Sequence, residues 1–529
     1  MSSFKKAFLV SMCLVLAAAL ILSGCTTPQE GDNKQTQPPD NNSTDSPVTE
    51  KPAEPIEIVW GVWFQNEGVY EDTEMEKFLE ETFNIDIKPV KVTDASVASG
   101  EVPDIFTLGD PSNVAAYKGQ NILMDFTEEM IQEKLPEYYA AITSINASLF
   151  GSVKMDDKIW AIPNFITLRP YDFAMMWRQD WLENVGITKV PETMQEFEEA
   201  IYAFKEKDPD QDGVDDTFGL SGTMTTTWSS GFYSIFGAYG VEPTMWMVKD
   251  GKVVNGSVMP EAKEVLALLR KWYADGVLDL EFITDTQEDI RKKFYNDRIG
   301  VMEEMIGSGH NENANYVVEL RAINPNGKLV LGKNPEGPAG SGSWCWGDKS
   351  NYIVMGSQVK DDPVKLDKLF EIIRAFSTDY DLNVRVGNGE RGVDWEYVEE
   401  GAESGPIKFL DESENAAENR KQKGIGQFGL GAIGTIEIRE RGMDQSLVDA
   451  INTYGSGNRW TDAILFSALP SEGQYKEALK VMMQQYYAEI IIGERPLDDF
   501  DEFVEQWYAA GGEQLTNEAN ELYEQQFKK

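Results

Sequence analysis

Between Asp208 and Asp216 the chain reads Asp-Pro-Asp-Gln-Asp-Gly-Val-Asp-Asp, with acidic residues at alternate positions before a glycine. Hard cations such as calcium take roughly six to eight oxygen ligands, and alternating carboxylates around a tight turn supply them. With Asp208 as position 1, carboxylates stand at 1, 3, 5 and 9 (Asp208, Asp210, Asp212, Asp216), glycine at 6, and Val214 offers its backbone carbonyl at 7. Position 12, where an EF-hand places a bidentate Glu, is Gly219. The motif therefore reads as a single atypical loop holding a structural calcium, and its bland alternative is a solvated acidic turn.

The helix that enters this loop opens at Pro191-Glu192-Thr193-Met194-Gln195-Glu196, with Thr193 placed as N-cap and Glu196 as its capping-box partner. Nearer the start, Ile56 to Phe64 is an apolar run that predicts a buried strand ending at a ligand-facing loop over Gln65 to Tyr70. Met75, Phe78, Leu79 and Phe83 follow at helical spacing, and Ile85 to Val92 and Asp104 to Leu108 read as further strands. Strands alternating with helices give the doubly wound pattern of an α/β fold, whose ligands lie beyond the carboxyl ends of the strands. Two glycine patterns, Gly424 to Gly429 and Gly429 to Gly434, satisfy GxGxxG, but both follow the polar stretch Glu418 to Lys423 where a dinucleotide site requires a strand. They read as a glycine-rich loop, and the chain has no GxxxxGK[ST] of a transporter ATPase.

The first residues carry Lys5 and Lys6, an apolar run from Ala7 to Leu22, and Leu22-Ser23-Gly24-Cys25. The run is short for a membrane span of about 20 residues, and small residues before a cysteine suit cleavage ahead of a lipid-modified Cys25. Residues 1–24 are expected to leave as a lipoprotein signal peptide. Residues 25–55 hold no aromatic side chain and little that is apolar, so they are expected to form a lipidated, disordered tether.

The formal charge is −43, and it grows more negative when Lys5 and Lys6 leave with a signal that holds no acid. Such a field repels nucleic acid and anionic lipid, so membrane contact through the N-terminal lipid alone is expected, with no nucleic-acid partner. Of three cysteines, Cys13 lies in the signal and Cys25 is the lipid site, which leaves Cys345 alone and no disulfide framework. One histidine, His310, nearly excludes His-rich zinc sites, HExxH proteases and Ser-His triads. Chemistry by carboxylates alone stays open.

The run from Trp160-Ala161-Ile162-Pro163 through Arg178-Gln179-Asp180-Trp181-Leu182, Pro191-Glu192-Thr193 and Asp208-Pro209-Asp210 to Thr217-Phe218-Gly219-Leu220 resembles the extracellular solute-binding lipoproteins of ABC sugar importers. It is most similar to their oligosaccharide and alginate-type branch, whose members carry a calcium loop at this place. Lys271-Trp272-Tyr273-Ala274-Asp275-Gly276, Arg298-Ile299-Gly300-Val301-Met302, Gly392-Val393-Asp394-Trp395-Glu396 and Ile492-Gly493-Glu494-Arg495-Pro496 extend the resemblance in order. The resemblance implies a two-lobed periplasmic-binding-protein-like fold with a hinge over an interlobe ligand cleft. It assigns residues 56–165 and 348–402 to an N-terminal lobe and 166–347 and 403–529 to a C-terminal lobe with the calcium loop. Hinge crossings are expected near Phe165 to Pro170, Trp346 to Tyr352 and Glu400 to Pro406. Where the family's loops commonly carry an acid after the last aspartate, Thr217 stands, which leaves the sixth ligand open to Asp215 or water.

Sugars offer apolar CH faces ringed by hydroxyls, so a sugar site needs aromatic platforms beside polar side chains. The aromatic candidates are Trp63, Trp228, Tyr233, Trp344, Trp346 and Trp395, each with core packing as its plain alternative. Gln65, Asn66 and Asp110 end strand-to-loop transitions, Glu303 follows a strand, and Arg169 could clamp hydroxyls or an acidic sugar with its planar fork. The resemblance implies a monomeric lipid-anchored receptor on the extracellular face of a Gram-positive cell, which captures an oligosaccharide for an ABC permease and is not an enzyme. The rival is a surface polysaccharide hydrolase or lyase using paired carboxylates.

Overall fold

The computed structural model describes residues 54–64, 66–168, 171–223, 231–455 and 457–528. Cys25, Gln65, Arg169 and Trp228 lie outside them. In chain order, the strands that build the two lobes are Ile56–Gly61 (β1), Ile85–Val90 (β2), Ile105–Leu108 (β3), Ile162–Phe165 (β4), Phe173–Arg178 (β5), Phe218–Leu220 (β6), Ile299–Met305 (β7), Leu329–Gly332 (β8), Gly342–Trp344 (β9), Lys349–Met355 (β10) and Asn458–Trp460 (β11).

The first sheet runs β2-β1-β3-β10-β4. β1 pairs in parallel with β2 and β3, as a doubly wound start demands, and β10 enters antiparallel to both β3 and β4. Ile58, Trp60, Ile85, Ile87, Ile105 and Phe106 seed its core, joined by Leu79 and Phe83 of the helix Glu74–Phe83. That helix begins with Thr73 and Glu76 in a reciprocal capping box, which satisfies donors that the first turn cannot pair internally.

The second sheet runs β8-β5-β7-β6. All six residues of β5 are buried because both faces of the sheet are covered, so Phe-Ala-Met-Met-Trp-Arg reads as a continuous run with no alternation. Phe173, Met175 and Trp177 face one core, and Ala174 and Met176 face another with Phe294, Tyr316 and Ile451. The only charge in the strand, Arg178, is 1% exposed and is paired with Asp180 and Asp297. The C-terminal helices Glu472–Ile492, Asp499–Trp507 and Glu513–Leu522 close the larger of the two cores through Tyr487, Phe503 and Trp507.

The chain passes from the first sheet to the second between Phe165 and Phe173, and returns between Trp344 and Lys349. The third crossing differs from expectation. Glu400 to Pro406 lies in the connection of a hairpin between Trp395–Tyr397 and Ile407–Phe409, which doubles the chain back. Phe428, Leu430 and Ile433 still lie in the first core, and Ala450 and Ile451 are the next residues in a core of the second sheet. Residues 403–433 thus include first-lobe packing that the division at residue 402 gave to the other lobe. The glycine-rich loop explains itself here: a Cβ on Gly431, which has φ +79°, would stand 2.1 Å from Asn351 Oδ1. Gly431 and Gly424 thus serve close approach of the backbone to Asn351 and Thr73.

Candidate functional site

The acidic loop folds as its spacing requires. Asp208 and Gln211 take positive φ beside Gly213, and one oxygen from each of Asp208, Asp210 and Asp212 falls within 4.8 Å of the others. Asp208 Oδ2 accepts the Gly213 N–H (3.1 Å) and Asp212 Oδ1 accepts the Val214 N–H (2.7 Å). Asp208 Oδ1 and Asp210 Oδ1 are buried with no hydrogen-bond partner. Burial, with Asp208 and the charge of Asp212 adding to it, pushes the Asp210 carboxyl up to about 6. Carboxylates gathered without a counter-charge, with buried oxygens left over, fit the oxygen-rich demand of a hard cation.

The outer positions are engaged elsewhere. Asp216 pairs with Arg298, and Asp215 with Lys205 at 2.6 Å. Thr217 is 1% exposed, and its hydroxyl donates to the Phe204 carbonyl at 2.8 Å. It anchors the loop to the preceding helix and is turned from the cluster. Position 12 cannot carry an acid without rearrangement, since a Cβ on Gly219 would lie 2.6 Å from Ile201 Cβ and 2.7 Å from its carbonyl oxygen. The helix Met194–Glu206 has its Thr193–Glu196 capping box as expected.

The second feature is a cavity of about 330 Å³ with walls from both lobes. Asp110 and Ser112 approach from the first sheet, where Asp110 follows β3. Trp246, Trp344, Trp346, Asp462, Phe466, Lys476 and Trp507 come from the second lobe. Trp344 ends β9, which pairs in parallel with β11 so that Trp344 lies opposite Trp460. Its ring meets Trp346 edge-on at 4.6 Å and Phe466 at 5.9 Å, and stacks on Tyr233 behind it at 5.9 Å.

Lys349, first in β10, sends its ammonium across the gap between lobes, 4.3 Å from the Trp346 ring centre and 4.7 Å from that of Phe466. It pairs with Asp110 at 3.2 Å. Burial outweighs that partner and pulls the Lys349 amine below its ordinary value. Asp462 is buried too: Oδ2 accepts the Trp246 N–H at 2.8 Å, and Oδ1 accepts those of Ile464 and Phe466 at 3.0 Å. Burial raises its carboxyl, and those three donors oppose the rise. They also hold Leu465 and Phe466 in the left-handed region, at φ +51° and +59°. Such backbone strain in non-glycine residues persists only where surrounding contacts over-determine it.

Of the residues singled out from sequence, Trp344, Trp346 and Asp110 come together at this cavity. Tyr233 is buried behind Trp344, and Glu303 lies deeper, accepting from the Tyr233 and Ser234 N–H groups at 2.9 and 2.7 Å. Burial carries the Glu303 carboxyl up to about 7 against those donors. Trp63 and Asn66 follow β1: the Trp63 N–H donates to the Gln427 carbonyl, and the Asn66 carbonyl accepts from Lys91. Neither lines the cavity. Trp395 is a core residue of its hairpin, 4% exposed, with its indole N–H on the Gly389 carbonyl at 2.9 Å. Sequence reasoning missed Trp246, Phe466, Asp462 and Lys349. A lysine three residues after Trp346 was a usable signal for the last; the others carry none without tertiary contacts.

The profile of the bacterial extracellular solute-binding protein family matches residues 68–371, more than half of the chain. The chain belongs to that family. Polygalacturonan/rhamnogalacturonan-binding protein YtcQ of Bacillus subtilis strain 168 is 23% identical to this solute-binding protein over 533 residues, covering 97% of each chain. Lipoprotein LipO of the same organism is 24% identical over 470 residues, covering 85% of this chain and 88% of its own. Among solved structures, an extracellular solute-binding protein from Bifidobacterium longum subsp. infantis superposes with a TM-score of 0.68 at 17% identity, covering 90% of this chain and 99% of its own. Alginate-binding protein AlgQ2, in a crystal structure without calcium ion, gives 0.65 at 17% identity, covering 89% of this chain and 98% of its own. The two-lobed α/β fold is that of solute-binding proteins. Among the described residues no helix is long and apolar enough to cross a membrane.

Proposed function

We propose that this solute-binding protein is a lipid-anchored receptor which captures an oligosaccharide between its lobes and delivers it to the permease of an ABC importer. The observation that carries the reading is the interlobe cavity, where Trp344, Trp346, Trp246 and Phe466 meet Asp110, Asp462 and Lys476. Aromatic walls suit the CH faces of sugar rings, and the more exposed Asp110 carboxylate and Lys476 ammonium suit their hydroxyls. The polygalacturonan/rhamnogalacturonan-binding relative supports a saccharide ligand. Cys25 is the proposed lipid site on the extracellular face of a Gram-positive membrane, and LipO, a lipoprotein, supports it. The receptor is monomeric in this reading, with the hinge at the crossings 165–173 and 344–349 and further chain within 434–449.

Calcium is the proposed occupant of the acidic loop, held by Asp208, Asp210, Asp212 and the Val214 carbonyl, with Asp216 recruited if it releases Arg298. Its role is structural, since the loop borders the second lobe away from the cavity. The role is binding without catalysis. Both oxygens of Asp462 are occupied by backbone N–H groups and Asp110 is paired with Lys349, an arrangement suited to orienting hydroxyls and ill suited to passing protons.

Tryptophan fluorescence and thermal shift against a panel of neutral and acidic oligosaccharides test the receptor. A saturable change with at least one member is expected, lost in Trp344→Ala. A panel that moves neither signal overturns the reading, and release of reducing ends from a bound member would replace it with a hydrolase.

A further inference from the structure

The chain holds 13 Trp, 20 Tyr and 25 Phe, and among the described residues two of these side chains stand exposed: Phe64 at 39% and Tyr171 at 46%. Tyr171 lies in the crossing between β4 and β5 and carries a hydroxyl for water. Phe64 has no polar group and stands three residues beyond β1. A single exposed apolar side chain is ordinary on a protein surface, so its position has to carry the argument.

β1 and β3 are parallel neighbours, which brings their carboxyl ends to one edge of the first sheet, where an α/β sheet takes its ligands. Phe64 follows one end and Gly109 the other. They meet: a Cβ on Gly109 would stand 3.4 Å from Phe64 Cε2 and 3.5 Å from its Cζ. The phenyl ring also packs on the Trp63 indole, with ring centres 4.4 Å apart. Chain on both sides of Phe64 is fixed by Gln427, which is 3% exposed. Its carbonyl accepts the Trp63 N–H at 2.9 Å, and its side-chain amide accepts the Tyr70 N–H at 2.8 Å and donates to the Tyr70 carbonyl at 2.7 Å. An aromatic face held on an anchored loop loses little freedom when a ligand covers it.

Gly109 leads directly into Asp110, a wall of the interlobe cavity. Asp110 stands at the N-cap of the helix Pro111–Gly119 but makes no capping bond with its side chain. That carboxylate is 47% exposed and holds Lys349 at 3.2 Å, whose ammonium lies 4.3 Å from the Trp346 ring centre. A run of contacts thus joins Phe64 to the cavity through Gly109, Asp110 and Lys349. A sugar ring in the cavity that bonds to Asp110 leaves its neighbour in the chain beside the same carboxylate, where the phenyl face of Phe64 is open to its CH groups.

Resting on the receptor reading, we infer that Phe64 is a stacking platform on the first lobe, a subsite for the sugar unit next to the one held in the cavity. Asp110 serves hydroxyls of both units, and affinity grows with the length of the oligosaccharide.

The test uses the full chain purified in mild detergent and titrated calorimetrically with xylo-, malto- and galacturono-oligosaccharides, each series running from two to six units. In a series that binds, parent affinity is expected to rise with length. Phe64→Ala should weaken the longest member ~10-fold and leave the shortest binding member within about twofold. Phe64→Trp, which keeps a flat face, should bind the longest member within about threefold of the parent, whereas Phe64→Leu, apolar without that face, should match Phe64→Ala. Without ligand, Phe64→Ala should melt within about 2 °C of the parent, because the ring is part exposed. A larger fall marks a ring that only holds its loop, and overturns the subsite. Unchanged binding of the longest member, or a loss equal at every length, also overturns it and leaves the receptor standing. If no member of the three series binds, the receptor reading falls and the subsite with it.

Discussion

Chelation of the acidic loop is the perturbation whose size the structure sets most directly. Each of Asp208, Asp210 and Asp212 contributes an oxygen within 4.8 Å of the other two. At that separation two unit charges repel by about 1 kcal/mol in water, so three such pairs amount to about 3 kcal/mol, reduced to ~1–2 kcal/mol at physiological salt because the loop is largely exposed. A bound calcium removes that repulsion and adds its own binding energy. With a Kd of about 10–100 μM, 2 mM calcium would stabilise the folded state by ~2–3 kcal/mol. For a body of this size that is a shift of roughly 2–5 °C in melting temperature.

Differential scanning calorimetry in 2 mM calcium and in EDTA, with magnesium as control, reads the effect. In EDTA the shift between low and physiological salt should be positive, since screening relieves the carboxylates. Asp210→Asn separates repulsion from ligation: in EDTA it should melt higher than the parent by the equivalent of about 1 kcal/mol, and its response to calcium should shrink to less than half. The reasoning is refuted if calcium and EDTA give the same transition, or if Asp210→Asn destabilises the chelated protein. Either result would leave the loop a solvated turn, held by its own backbone hydrogen bonds.

Three further outcomes follow from particular contacts. Glu303, raised from 4.5 to about 7 by burial, binds its proton more tightly folded than unfolded, so its contribution is fully present below about pH 4.5 and is lost as pH rises through 7. The loss amounts to ~3 kcal/mol. Ser234→Ala removes a hydroxyl donor to that carboxylate and should steepen the fall between pH 5 and 7.5 in denaturant melts; an unchanged slope contradicts it. Gly237→Ala places a Cβ 2.3 Å from the Gly342 carbonyl oxygen at the start of β9, so it should destabilise by ~2–3 kcal/mol and weaken oligosaccharide binding by displacing Trp344, and wild-type affinity in a folded variant would argue against it. Cys25→Ser should release the protein from membranes into the culture medium, and continued pelleting with membranes would refute the lipid site.

What the sequence made legible was set by range. The capping box of Thr193 and Glu196, the apolar run of β1 and the gathering of Asp208, Asp210 and Asp212 are local: hydrogen bonds and turn geometry span a few residues, so spacing alone reports them. The crossings were legible only where a strand ends in one sheet and the next begins in the other within a few residues, as at 165–173. The third was not, because Phe428, Leu430 and Ile433 look like any apolar residues in a glycine-rich loop until Asn164 and Asn351 are seen to hold that loop's backbone. The aromatics divided for the same reason. Trp344 and Trp395 have similar small and polar neighbours in sequence, yet one ends a strand at the lobe junction and the other folds into its own hairpin. Which face of an indole is covered depends on residues more than 100 positions away, such as Phe466 against Trp344.

The segment from Asp462 to Phe466 ties binding to the relative position of the lobes. Leu465 is buried in the first core, and Phe466, its neighbour, packs on Trp344 and Trp346 of the second. Both stand in left-handed backbone, a combination that disfavours the conformation by about 1–2 kcal/mol per residue. Three N–H bonds to Asp462 and the packing of Phe466 on Trp344 and Trp346 offset that strain within the second lobe, and the burial of Leu465 offsets it only while the lobes are together. Lys349 adds to the same dependence, since its ammonium leaves the first sheet to lie against rings of the second. Opening the hinge would therefore expose Leu465 and part the Lys349 ammonium from the Trp346 and Phe466 rings. A ligand filling the cavity presses on the same rings, so a modest differential affinity is enough to move the equilibrium between open and closed forms.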